Sequence, residues 1–152
     1  MDLRERINAA VKEAMKAREA ERLGTLRLMN AAIKDRDIAA RGEGEDGPVA
    51  DAALVELLGR MVRQRQESAR MFLEGGRAEL AEKERAEIRV IEEFLPRQLD
   101  AGEIEAALAA AIAETGASSI RDIGKVMALL KARHAGQMDF GAAGGLLRAR
   151  LG

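Results

Sequence analysis

The sequence has no cysteine, no tryptophan and no tyrosine, one histidine (His134) and two prolines in 152 residues. Without cysteine there is no disulfide frame, no thiolate ligand and no thiol nucleophile. A single histidine excludes His-rich zinc sites and leaves one imidazole for any triad. Aromatics make up 2%, from Phe72, Phe94 and Phe140 alone, which argues against a platform for stacking single-stranded bases. Charge of one sign is also missing: 25 basic against 26 acidic residues leave a net −1, so no global field draws a polyanion and any such contact must come from a local patch. No apolar run approaches the roughly 20 residues of a membrane span, and the N-terminal Met-Asp-Leu-Arg-Glu-Arg lacks the apolar core of a secretory signal, so a soluble, cytoplasmic chain with no membrane contact is expected. No Gly-rich phosphate loop, Gly-x-Ser-x-Gly or His-Glu-x-x-His occurs. Glu92 and Glu93 are adjacent, point to different parts of a helix surface and form no acid/base dyad; an active site assembled from distant carboxylates stays open. No catalytic residue, metal or cofactor is therefore assigned.

What remains is a chain 47% hydrophobic and 34% charged, dominated by alanine, leucine, glutamate, arginine and lysine, a composition that favours helix nearly everywhere. Leu3, Ile7, Val11 and Met15 recur at strict i+4 spacing behind Asp2, a candidate cap. A second helical pattern runs from about Glu19 to Ala40 on Leu23, Leu26, Met29 or Asn30, and Ile33. The two are an antiparallel pair or one bent helix, since neither Pro nor Gly marks the break. Residues 41 to 48, with three glycines and Pro48, predict a mobile surface loop. A third helix is expected from Asp51 to Glu74, ended by Gly75-Gly76, and a fourth from Arg77, with Ile88 and Ile91 inward and a charged outer face laced by i,i+4 pairs. Pro96 stops that helix at about Phe94 and makes a stiff, partly buried elbow from which Leu99 still reaches a core. Beyond it, Asp100 with Glu103 and Ser119 with Asp122 read as capping boxes, Asp139 as a further cap, and three shorter helices carry Ile104, Leu108, Ala111 and Ile112, then Ile120, Ile123, Val126, Met127 and Leu130, then Leu146, Leu147 and Leu151. Gly141, Gly144 and Gly145 weaken the last helix unless it packs closely. The expected fold is all-α and multihelical: a four-helix unit over residues 1–95 and a three-helix unit over 96–152.

Two basic clusters stand out. Arg60, Arg63 and Arg70 fall on one side of a 3.6-residue helix, because steps of three and seven return to nearly the same face, and three guanidiniums there can grip phosphates. The competing account pairs them, and Arg65 beside them, with acids of neighbouring helices. Lys125, Lys131 and Arg133 precede His134 and Gly136; the helix dipole explains the last two cations and says less about Lys125. RNA held by such clusters is read by shape and backbone rather than base by base.

Gln64-Arg65-Gln66-Glu67-Ser68, Gly75-Gly76-Arg77, Glu84-Arg85-Ala86-Glu87-Ile88, Phe94-Leu95-Pro96-Arg97-Gln98-Leu99, Glu114-Thr115-Gly116-Ala117-Ser118-Ser119 and Ile123-Gly124-Lys125-Val126-Met127 together resemble the YqeY-like family, in order and over essentially the whole chain. Its members are similar to the helical and tail regions of GatB, a component of the glutamine-dependent aminoacyl-tRNA amidotransferases. The resemblance implies a non-catalytic accessory module associated with tRNA and with tRNA-processing or translation proteins, since no residues remain to build the catalytic domain. It also implies nucleic-acid contacts at Gly124, Lys125, Lys131 and Gly136, to which the helix-face argument adds Arg60, Arg63 and Arg70. The alternatives are a protein-interaction module without RNA contact, favoured by near-neutral charge and seven methionines, or amidotransferase-like activity (carbon–nitrogen ligation with glutamine as amido donor) only within a larger complex.

Overall fold

The computed structural model describes residues 1–152 and contains seven α-helices and no strand: α1 Leu3–Ala17, α2 Ala20–Gly42, α3 Asp51–Glu74, α4 Ala78–Glu92, α5 Ala101–Thr115, α6 Ile123–Arg133, preceded by a 3-10 turn at Ile120–Asp122, and α7 Phe140–Leu151. The chain divides into two compact units, Met1–Leu95 and Pro96–Gly152.

In the first unit the Asp2 carboxylate accepts the Glu5 N–H at 2.8 Å and starts α1. The strict i+4 stripe of α1 drifts by about 40° per step, because four residues overshoot one 3.6-residue turn. Leu3 and Ile7 are therefore buried, Val11 is partly covered, and Met15 has rotated out to 53% exposure while Ala10 and Ala14 complete the core face. The helix ends at Arg18, whose left-handed backbone (φ 55°) sends its N–H back to the carbonyls of Ala14 and Met15. The break is thus real, and α1 and α2 run antiparallel, as the pairings Asn8 with Asn30 and Arg4 with Asp37 require. The most extensive pairing joins α3 to α4 across the Gly75-Gly76-Arg77 turn, where Gly76 takes φ +73°. Leu26, Met29, Leu54, Leu58 and Ile91 fill the core between the four helices.

The loop after α2 is exposed through Pro48, as expected, but its end is fastened. Val49 is buried; its N–H donates to Asp37 Oδ1 at 3.0 Å and its carbonyl accepts from Arg4 Nη2 at 3.0 Å, while Arg4 and Asp37 form a two-pronged pair at 2.7 Å on each arm. The carboxyl of Asp37 is held down at about 2, first by the Arg4 hydrogen bond and against the opposing effect of desolvation.

The second unit has its own core of Leu108, Ala111, Val126, Leu130, Met138, Ala143 and Leu147, with Leu99 packed against it. Asp100 and Glu103 form the capping box of α5, and Ser119 and Asp122 the box before α6. Ile120 lies in the 3-10 turn and is 51% exposed, so it is not part of the inward stripe. Leu146 is also turned out, since it and the buried Leu147 stand about 100° apart on one helix. Asp139 caps α7 through the N–H groups of Gly141 and Ala142, and a Cβ at Gly141 would come within 3.2 Å of the capping oxygen. Nothing similar constrains Gly145, where a Cβ meets open space. Gly145→Ala should therefore stabilise the chain by about 1 kcal/mol, read as a rise in denaturant midpoint at constant m.

Candidate nucleic-acid interface

The arginines of α3 do not form one block. Arg65 turns inward and donates through Nε to Glu87 of α4 at 2.9 Å and through Nη1 to the Met61 carbonyl at 3.2 Å, with both charged partners largely covered. Arg70 is held along its own helix between Glu67, three residues before, and Glu74, four after, and these two acids raise its already high pKa. Two carboxylates on one guanidinium make that end of α3 acidic on balance, so Arg70 adds no attraction for a phosphate. Arg63 is half-buried with its guanidinium over Gly59, and Arg60 is exposed with no carboxylate on it. The outer face of α4 carries its charge differently from the i,i+4 lacing expected: Glu82 pairs with Arg89, seven residues on, and Glu87 pairs across to α3.

On α6 the hydrophobic stripe Val126 and Leu130 is buried, and Gly124, Lys125 and Lys131 are exposed. Lys125 adds a minor pull to that of the Ser118 and Ser119 N–H groups, which hold the Asp122 carboxyl below its usual range. Arg133 is taken by Glu114 of α5, whose acidity it increases. His134 sits at the end of α6 with Nδ1 3.3 Å from the side-chain oxygen of Gln137. Gly136 is partly covered, at φ +73°, and its carbonyl accepts from Gln98 Nε2 at 2.6 Å. It is therefore a turn residue inside the unit, while Lys125 and Lys131 remain open to solvent.

The stretch after Pro96 is tied down in the same unit. Leu99 N–H donates to the Gln137 carbonyl at 2.9 Å, Gln137 Nε2 to the Arg97 carbonyl at 3.1 Å, and Gln98 Nε2 bridges the carbonyls of Pro96 and Gly136. Arg97 holds Glu103 in a two-pronged pair at 2.8 and 2.7 Å, which lowers the Glu103 carboxyl to about 2, with the Asp100 N–H as the next contribution. No three acidic or histidine side chains converge as a metal site would require, and no helix is long and apolar enough to cross a membrane.

A family model described as Yqey-like protein matches residues 4–151. The chain belongs to the YqeY-like family. In this YqeY-like chain the corner from Phe94 to Leu99 is accounted for by packing and hydrogen bonds: Phe94 is buried under the Arg6 guanidinium, 5.5 Å from its ring centre, and Arg97 and Gln98 fasten the residues after Pro96. The chain is similar to "Altered inheritance of mitochondria protein 41, mitochondrial" of Lachancea thermotolerans, 34% identical over 95 residues, which covers 62% of this chain and 49% of the relative. The protein of the same name in Eremothecium gossypii is 34% identical over 85 residues, 56% of this chain and 44% of the relative, and that of Saccharomyces cerevisiae strain YJM789 is 29% identical over 85. The chain thus spans about half the length of these relatives. Their names overturn the cytoplasmic expectation. Lack of an apolar signal core speaks only to secretion, whereas import into an organelle uses amphipathic, Arg-rich leaders, so the N-terminal residues never bore on that choice.

Proposed function

We propose that this YqeY-like chain is a non-catalytic module that recognises tRNA and works beside tRNA-processing or translation proteins. What carries the reading is the family match over residues 4–151, joined to the resemblance of the second unit to the GatB tail. The exposed Arg60 and Lys131, each without a carboxylate partner, and the exposed Lys125, weakly attracted to Asp122, support it as contacts to the phosphate backbone. No residue of the chain is assigned a bond-making role, and any amide transfer belongs to its partners.

The test is a titration of labelled tRNA at several salt concentrations. Binding should weaken as salt rises, and the variant Arg60→Glu/Lys125→Glu should bind with a salt slope smaller by about 2. No binding at low salt, or binding indifferent to salt, would remove the reading. A docking module for protein alone is the second reading, and the exposed Met71 and Leu73 near the end of α3 favour it.

A further inference from the structure

The geometry points to a second cationic surface, on the outer side of the α1–α2 pair, built to hold the sugar–phosphate backbone of a folded RNA. It rests on the tRNA reading for its ligand class and assigns that ligand residues which neither basic cluster contains. The antiparallel register fixes the surface. Asn30 Nδ2 donates to Asn8 Oδ1 at 3.1 Å across the seam, on the solvent side. From that amide pair, Lys12 lies one turn further along α1 and Arg27 one turn back along α2. In an antiparallel pair these two steps go the same way, so Lys12 and Arg27 are neighbours across the seam. Lys34 lies one turn beyond Asn30 in the other direction, and Lys16 continues the row past Lys12.

All four cations are exposed, and none has a carboxylate, hydrogen bond or ring contact. This separates them from Arg4, Arg22, Arg65, Arg70 and Arg133, each of which is held by an acid. The acids by helix position on or beside this side are Glu5, toward the start of α1, Glu13, three residues before Lys16, and Asp35, a further step round α2; Asp37 is engaged by Arg4. Four unpaired cations against three carboxylates leave a local excess that the net charge of −1 conceals.

The chemistry of the centre selects the partner. Between the cations stand Asn8, Asn30 and Ala31: two amides that can donate to phosphate and ribose oxygens, on a floor low enough for a backbone to approach. Arg27 and Lys34 are seven residues apart, roughly 10 Å along the axis, a span that reaches neighbouring phosphates of one strand. A membrane surface would instead require a continuous row of large apolar side chains to insert. The exposed large apolar residues near this side, Met15, Leu28 and Ile38, are scattered rather than in a row, with the polar amides between Met15 and Ile38 along the seam.

The test compares the full chain with Lys12→Glu/Arg27→Glu/Lys34→Glu and the milder Lys12→Gln/Arg27→Gln/Lys34→Gln, binding labelled tRNA by fluorescence anisotropy at graded salt. Helicity and melting temperature identify the variants that fold. The reversal should weaken binding at least tenfold, and the glutamine set should reduce the salt slope by about 2 to 3. If the wild type binds and the glutamine set, folded, has an unchanged affinity and slope, the surface assignment is wrong and the tRNA reading survives. If the wild type does not bind at all, both fail. Vesicles rich in phosphatidylserine that bind the wild type and lose the glutamine set, while tRNA does not, would assign the surface to a membrane and overturn the inference.

Discussion

Leu147→Ala should cost about 3 kcal/mol, a large effect for a single truncation in the second unit. Leu147 is fully buried on α7 among Leu108, Val126 and Leu130, and its removal forfeits both the transfer energy of the side chain and the contacts around the cavity left behind. A unit of roughly 60 residues buries only about 60% of the surface of its unfolded chain, so a loss of this size consumes much of its margin. The local character is the informative part. Because Leu147 belongs to the second core alone, hydrogen exchange in the full chain should show amides of α5, α6 and α7 losing protection by roughly a hundredfold, while those around Leu26, Leu54 and Ile91 keep theirs. A loss below about 1 kcal/mol, or equal loss throughout the chain, would contradict two separately built cores.

The second large effect is electrostatic. Asp37→Asn should destabilise the chain by about 2 kcal/mol at neutral pH, because it removes the charged partner of a half-buried Arg4 and weakens the acceptor for the Val49 N–H, which close the end of the loop after α2. The pH dependence follows from the depressed carboxyl. The folded-state value of about 2 lies below the ordinary value of 3.8, so the stabilisation is fully present above about pH 4 and is lost as pH falls through about 2. Urea midpoints of the wild type should therefore fall between about pH 4 and pH 2 by an amount missing from D37N. Parallel acid profiles for the two proteins would show that the Arg4–Asp37 clasp contributes nothing.

The helical class and most termini were legible because they rest on local chemistry. Asp2, Asp100, Ser119 and Asp139 cap the helices they precede as their sequence contexts suggested, and α3 spans Asp51–Glu74 as periodicity and Gly75-Gly76 required. The break between α1 and α2 was ambiguous for a specific reason: the left-handed residue that ends α1 is Arg18, and an arginine there carries no sequence signal that a glycine would have given. Inward stripes failed where spacing was read too literally, at Met15, Ile120 and Leu146.

The candidate site was less legible because pairing is a tertiary property. Arg65 and Arg70 look alike in sequence to Arg60, yet one is sealed against Glu87 from another helix and the other is bracketed by Glu67 and Glu74. Gly136 matched a tail-like motif, and its backbone serves the turn that receives Gln98. Conversely, Lys12, Lys16, Arg27 and Lys34 are dispersed over two helices with acids interleaved, and only the antiparallel register, fixed by Asn8 and Asn30, brings them to one face. The available signal was the placement of cations at steps of four and seven on two adjacent helices.

Lysine acetylation footprinting, with and without excess tRNA at low salt, probes the RNA-recognition account most directly, because it reads each ammonium group in the intact chain. The account requires tRNA to protect Lys12, Lys34, Lys125 and Lys131 while Lys83, among the glutamates of α4, keeps its reactivity. Equal reactivity of all of these lysines in the presence and absence of tRNA would contradict it.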